Sequence, residues 1–343
     1  MDLKDKFKAL YPEVVFLEAR TSPELVDYLR RKGWLAVGEE VVSVQKPGEG
    51  NMNAVVRVVT SRRSFILKQA RPWVQKYPRV SAPMGRTAVE ARFYERIAGD
   101  EVLRTLTPAM LGFDAPDSVL ALEDLGAGTD FTYLYQPNQL LGTGEVASLT
   151  RFLSRLHQLR EEPGQGEFLA NQSMKALNHE HIFQLPFQEE NGLDLDAIQE
   201  GLRDRSLPYR RDAVLKGKLS VLGDRYLRPG PTLIHGDYYP GSWLKGAAGL
   251  RVIDPEFGHF GRPEFDVGVM VAHFKLARLG EPVIREALDG YQPPDGFEYS
   301  LMTAFAGVEV LRRLLGLAQL PLSLSLDEKE ALLEEAAASI MKP

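Results

Sequence analysis

The 343-residue sequence contains no cysteine, which excludes disulfides, thiolate zinc sites, iron–sulfur clusters and cysteine nucleophiles together. Any chemistry must come from oxygen and nitrogen groups. No run reaches the ~18 apolar residues of a membrane span, and the opening segment, with Lys4, Lys6 and Lys8 among polar neighbours, lacks the apolar core of a secretory signal. The sequence therefore predicts a soluble, cytoplasmic protein in which the Asn171-Gln172-Ser173 sequon carries no weight. Basic residues are not in excess: 41 Lys and Arg against 47 Asp and Glu give a formal net charge of −6. The two signs are interspersed, so no broad positive face is offered to nucleic acid. Repeats and low-complexity tracts are also missing, which sets aside solenoids.

With 44% hydrophobic and 26% charged residues the chain has the make-up of a folded enzyme or binding protein, and its length suits two lobes. The first, 1–125, is β-rich. After a short helix from Pro23 to Lys32, with Ser22 as N-cap, strands are expected at Val41 to Gln45, Ala54 to Thr60 and Ser64 to Gln69. An amphipathic helix from Arg86 to Ala98, with Val89, Phe93 and Ile97 on its inner face, and two further strands around Leu111 to Phe113 and Val119 to Leu122 complete a five-stranded antiparallel sheet with one helix against it. The second lobe, 126–343, reads as mostly helical: Gly144 to Leu159, Leu195 to Arg203, Arg211 to Tyr226, Glu264 to Leu279, Tyr299 to Leu315 and Leu326 to Met341. Two short strands, Thr232 to His235 and Leu250 to Ile253, interrupt these helices as an expected hairpin.

The densest polar signal sits at the ends of those two strands. His235-Gly236-Asp237 follows the first and Asp254-Pro255-Glu256 the second, so three carboxylates are expected at one end of the hairpin. Mg²⁺ takes hard oxygen ligands, commonly one or two carboxylates with water and phosphate. Asp254 and Glu256 suit that role, leaving Asp237 as base; the competing reading is that these aspartates serve only as turn residues. Upstream, the loop Gly48-Glu49-Gly50-Asn51-Met52-Asn53 could lay backbone N–H groups over phosphates, or be a plain hairpin turn. Lys68 ends an otherwise apolar strand and calls for an anion; Glu90 is the first candidate partner and Glu95 the second.

In this order, His235-Gly236-Asp237, Asp254-Pro255-Glu256 and Phe265-Asp266-Val267-Gly268 resemble the aminoglycoside phosphotransferase and choline kinase superfamily, whose fold is that of protein kinases. Within it the chain is most similar to the methylthioribose kinases, through the glycine loop, Leu67-Lys68-Gln69-Ala70, Leu122-Glu123-Asp124-Leu125, Ile253-Asp254-Pro255-Glu256-Phe257 and Val310-Leu311-Arg312-Arg313-Leu314. The resemblance implies a bilobal α+β kinase that uses ATP and Mg²⁺ to phosphorylate a hydroxyl of a small molecule, S-methyl-5-thioribose at its 1-hydroxyl. It implies Asp237 as catalytic residue and Asp254 and Glu256 as metal ligands. Gly48, Gly50, Asn51, Asn53, Lys68 and Glu90 would serve the phosphates, Glu123, Asp124 and Leu125 the adenine as a hinge, and Ser242 would stand in for the catalytic-loop asparagine of sister families. Asp266 would cap its helix and tether the catalytic loop. Arg312 and Arg313 would serve the acceptor, at most one of them in the main contact and the other bracing it or a neighbouring loop, since consecutive helix positions point ~100° apart.

One departure stands beside the acceptor. Methylthioribose kinases usually carry Leu-His-Thr-Gly-Ser after the catalytic aspartate, and this chain carries Tyr238-Tyr239-Pro240-Gly241-Ser242. The two tyrosines could stack on the acceptor or fill space. A kinase for an aminoglycoside, an amino alcohol or another sugar remains a rival reading. A catalytically inactive nucleotide-binding regulator is the rival from another class, and the oligomeric state, monomer or homodimer, stays open.

Overall fold

The computed structural model describes residues 2–48, 52–161, 169–247 and 249–342. The chain divides into two compact units, Met1–Gly128 and Thr129–Pro343.

In the first unit, helices α1 (Leu3–Leu10) and α2 (Pro23–Arg31) precede strands β1 (Val41–Gln45), β2 (Ala54–Thr60) and β3 (Ser64–Gln69). The Ser22 hydroxyl accepts the Leu25 N–H and caps α2. Period-2 alternation governs β2, where Ala54, Val56, Val58 and Thr60 are buried and the residues between them are half-buried. Helix α3 (Arg86–Ile97) and the short α4 (Glu101–Thr105) follow, then β4 (Met110–Asp114) and β5 (Val119–Glu123). The strands form one antiparallel sheet in the order β1-β2-β3-β5-β4. One face of it packs Val56, Val58, Phe65, Leu67, Val119 and Ala121 against Leu25 and Leu29 of α2. The buried stripe of α3 runs through Arg86, Glu90, Phe93 and Ile97, so the expected apolar face turns out to carry two charged residues inward.

The second unit comprises β6 (Thr129–Asp130), α5 (Thr143–Leu156), α6 (Gln172–His179), α7 (Leu202–Arg211), α8 (Ala213–Leu227), β7 (Thr232–Ile234), β8 (Trp243–Gly246), β9 (Gly249–Val252), β10 (His259–Gly261), α9 (Pro263–Leu276), α10 (Glu281–Gly290), α11 (Tyr299–Leu315) and α12 (Leu326–Met341). Helices α9 and α11 are buried on nearly every side and lie at the centre of this unit. They approach closely at Gly268, where an added Cβ would lie 2.8 Å from the Met302 carbonyl oxygen.

Two expectations are corrected. The helix anticipated at Leu195 begins only at Leu202. The Asp194 carboxylate accepts the N–H groups of Asp196 and Ala197, turning the chain, and Gly201 at φ +83° separates that turn from α7. The two short strands are not a hairpin with each other: β7 pairs with β10, whereas β9 pairs with β8 and β8 with β6. Sequence spacing suggested adjacency, but the intervening Trp243–Gly246 supplies β9 with a nearer partner.

Candidate active site

After β7 the chain turns at Gly236, with φ +82°. A Cβ there would lie 2.3 Å from the Phe257 carbonyl oxygen, so only glycine fits. The Asp266 carboxylate accepts both N–H groups of the turn, from His235 at 2.6 Å and Gly236 at 2.9 Å. His157 Nε2 lies 3.3 Å from Asp266, with the Tyr291 hydroxyl on its other ring nitrogen. Burial alone would raise the Asp266 carboxyl; His157, His235 and the His235 N–H outweigh it and hold it below the usual range. Asp266 is thus a tether, as expected. It is not a cap: it lies inside α9, whose N-cap position is Arg262.

The turn delivers Asp237, whose side chain is 22% exposed. Arg312 Nη2 and Arg313 Nη2 both point at Asp237 Oδ1, at 3.3 and 3.2 Å. Removal from water raises the Asp237 carboxyl above its ordinary range, and the two guanidiniums oppose that rise without cancelling it. Both arginines, and not one of them alone, thus meet Asp237. Both are buried, and both are gathered by Glu309, which accepts Arg312 Nε at 2.6 Å and Arg313 Nε at 2.7 Å. Residues three and four positions after Glu309 lie on its own helix face, so long side chains from successive positions can converge there. Glu309 also takes His273 Nε2 at 2.9 Å, and His273 Nδ1 lies 2.6 Å from the Tyr135 hydroxyl. Burial would raise Glu309, but the guanidiniums hold it well below the carboxylate norm, while burial pushes His273 down to about 4.

The two tyrosines differ. Tyr238 is fully buried, stacked on Phe152 with its hydroxyl donated to the Leu149 carbonyl, so it fills space and is corrected as a substrate contact. Tyr239 is half-buried between the Arg313 guanidinium, 4.5 Å from its ring centroid, and the His273 ring.

The loop before β8 and the loop after β9 are joined directly. His235 Nε2 is 3.0 Å from the Ile253 carbonyl, and the Ile253 N–H donates to the Ser242 carbonyl at 2.9 Å. The Ser242 hydroxyl is buried and donates to the Asp237 carbonyl at 2.9 Å, bracing its own loop. Asp254 adopts the left-handed region at φ +64°, a strained conformation for a residue with a side chain. Its side chain is partly exposed, whereas Glu256 is buried. Among the described residues no three His, Asp or Glu groups converge in metal-ligand geometry. The hard carboxylate donors of this loop nonetheless fit a Mg²⁺ that takes its other ligands from water and phosphate. The Asn171 side-chain amide donates to the carbonyls of Glu256 and Gly258 at 3.0 and 3.1 Å and so holds this loop.

In the first unit Lys68 Nζ meets Glu90 Oε1 at 2.6 Å, both buried, while Glu95 is exposed. Of the glycine loop, Gly50 and Asn51 lie outside the described residues; Gly48 is exposed and Asn53 buried. The Asn53 side-chain Oδ1 accepts Arg86 Nε at 2.8 Å, and the same guanidinium donates to the backbone carbonyls of Met52, Arg71 and Pro83. Arg86 thus anchors the base of the loop. At the end of β5 the Glu123 N–H is bound to the Ala109 carbonyl. Asp124 is clasped by Arg57 Nε and Nη2 at 2.8 and 2.9 Å and accepts the Gly126 N–H, and Leu125 is half-buried beside it.

Glu309, His273, Tyr135, Arg86, Arg57 and Asn171 were not read from the sequence. Only Glu309 carried a local signal, its i, i+3 and i, i+4 spacing to the arginine pair.

Residues 43–305 match the family model described as "Phosphotransferase enzyme family". The chain is 29% identical over 290 residues to a methylthioribose kinase of Cronobacter sakazakii, covering 78% of this chain and 69% of that one. It is 26% identical over 343 aligned positions to a methylthioribose kinase of Exiguobacterium sibiricum, covering 88% and 86%. Among solved structures, a spectinomycin phosphotransferase in complex with ADP and spectinomycin superposes with a TM-score of 0.53 at 13% identity, over 94% of this chain and 98% of that one. The fold is the bilobal α+β fold of these kinases, and this chain belongs to the phosphotransferase enzyme family as a small-molecule kinase.

Proposed function

We propose that this chain uses ATP and Mg²⁺ to phosphorylate a sugar hydroxyl, that of S-methyl-5-thioribose at its 1-position. The observation that carries the reading is Asp237, held on the Gly236 turn with two guanidiniums on one oxygen and part of its carboxylate still open. The curated relatives at 26–29% identity support the acceptor, and the ADP named in the spectinomycin complex supports a nucleotide donor.

Within the first unit, backbone N–H groups of the loop containing Gly48, Gly50, Asn51 and Asn53 would lie over phosphates, and Lys68, braced by Glu90, would neutralise them. The hinge of Glu123, Asp124 and Leu125 would meet the base through backbone groups other than the Glu123 N–H, which is already bonded to the Ala109 carbonyl. In the second unit Asp254 and Glu256 would hold Mg²⁺, which supplies charge neutralisation of the phosphates, with Ser242 bracing the loop. Asp237 would orient the acceptor hydroxyl and take its proton late in transfer. Its raised carboxyl suits a base, because efficiency is greatest when the pKa lies nearer the working pH.

The charge around Asp237 favours a neutral acceptor. Arg312 and Arg313 are balanced by Glu309 and Asp237, and His273, pushed down to about 4, adds none at neutral pH. A polyol meets such a surface without leaving an ion unpaired, whereas a cationic aminoglycoside or choline would face the guanidiniums. The test is ADP release with methylthioribose, ribose, choline and an aminoglycoside panel. Brisk turnover of methylthioribose is expected; no turnover of it, or turnover of another acceptor in its place, overturns the substrate assignment.

A further inference from the structure

Each guanidinium beside Asp237 spans two carboxylates: Nε goes to Glu309 and Nη2 to Asp237. Glu309 is 1% exposed, so it cannot touch a substrate itself. What it fixes is the rotation of both arginines, because holding Nε leaves each outer edge directed at Asp237. Glu309 is fixed in turn. His273 is uncharged with its pKa near 4, and its Nδ1 faces the Tyr135 hydroxyl. The tautomer with hydrogen on Nε2 lets the Tyr135 O–H donate to Nδ1 and His273 donate to Glu309, which is the assignment that satisfies both contacts.

We propose that Glu309 is a positioning residue of the acceptor site, which makes two sequence-adjacent arginines act as one clamp on Asp237 and on the acceptor, with Tyr135 and His273 holding its carboxylate in register. The proposal rests on the kinase reading above but not on the identity of the acceptor. The buried charge is closed as a set: two guanidiniums, two carboxylates and a neutral imidazole. An amide at 309 would offer one accepting oxygen where the carboxylate offers two, and would turn an NH₂ toward a guanidinium N–H.

The test uses the full chain with whichever acceptor of the panel is turned over fastest, so that failure of methylthioribose and failure of the clamp are separate results. Glu309→Gln is expected to raise the acceptor KM by about tenfold or more and lower kcat, with the KM for ATP changed less than about twofold. In an Arg312→Ala/Arg313→Ala background the same substitution is expected to change the kinetics by less than about threefold, because the groups it positions are gone. Effects that multiply independently in the two backgrounds, or a KM for ATP that moves as far as the acceptor KM, overturn the proposal. Tyr135→Phe, which removes a single oxygen, carries the test if Glu309→Gln does not fold. It is expected to raise the acceptor KM by about two- to fivefold at constant KM for ATP, and an unchanged acceptor KM overturns the proposal.

Discussion

Asp237 and Glu309 share the same two guanidiniums, one carboxylate at the mouth of the site and the other sealed beneath it. The upper carboxylate keeps an open flank at 22% exposure, which is what a base for an incoming hydroxyl requires.

Asp237→Asn is therefore expected to lower kcat by about 10²–10⁴, the usual worth of a general base, while nucleotide affinity stays within about threefold. Parallel measurements of turnover and nucleotide binding check it. Turnover above about a hundredth of wild type removes Asp237 from the role of base.

The Lys68–Glu90 pair is buried, so its stability and functional roles can be separated. Lys68→Met leaves Glu90 without its 2.6 Å partner and is expected to cost about 3–5 kcal/mol in denaturant unfolding. Lys68→Met/Glu90→Leu replaces the pair by apolar groups and should recover most of that loss while remaining inactive. Recovery of activity in the double variant would exclude the pair from phosphate binding.

Gly236→Ala forces a Cβ to within 2.3 Å of the Phe257 carbonyl at φ +82°. The left-handed conformation alone costs about 1–2 kcal/mol, and the clash must move the catalytic loop, so both thermal stability and turnover should fall. Gly217→Ala, on α8 with open space around its Cα, should instead stabilise by up to about 1 kcal/mol. Equal thermal shifts from the two variants would count against a structural requirement at Gly236.

His259 and His273 are both buried, and burial pushes each down to about 4. Unfolded imidazoles protonate near 6.5, so between pH 6.5 and 4 the unfolded chain binds more protons and stability falls as pH falls. Each should withdraw about 2 kcal/mol by pH 5. Denaturant unfolding at pH 7.5 and pH 5 measures the sum, and a flat profile contradicts it. Below that window Asp266 and Glu309, both held under the carboxylate norm, add a further loss as they protonate.

The first-unit sheet was legible because β-branched alternation and the tight Ser61-Arg62-Arg63 turn leave little freedom in β2 and β3, and the ends of β1, β2 and β3 lie where the pattern places them. Of the candidate site, the sequence marks only residues in short contiguous motifs, as Asp237, Asp254 and Glu256 are, and their roles belong to the proposed function. Tyr238 and Tyr239 look alike in sequence, yet tertiary packing on Phe152 takes one inward and leaves the other beside Arg313. Arg86 and Asn171 reach the backbone carbonyls of Met52, Arg71 and Glu256, far away in the chain, and no local pattern encodes such partners. Helix α10 is absent from the expected helices although Gly280-Glu281-Pro282 and the amphipathic run after it carry a local start signal.

Arg86 also has a practical consequence for handling the chain. Its guanidinium reaches Asn53, Arg71 and Pro83, and Trp73 is bridged to Ser81, so the stretch between Trp73 and Ser81 is a detour fastened at both ends. Lys76 and Arg79 lie exposed along it. A chain nicked there by trypsin should stay assembled as two copurifying fragments, which makes this detour the natural place to splice in a reporter peptide or to relocate the termini.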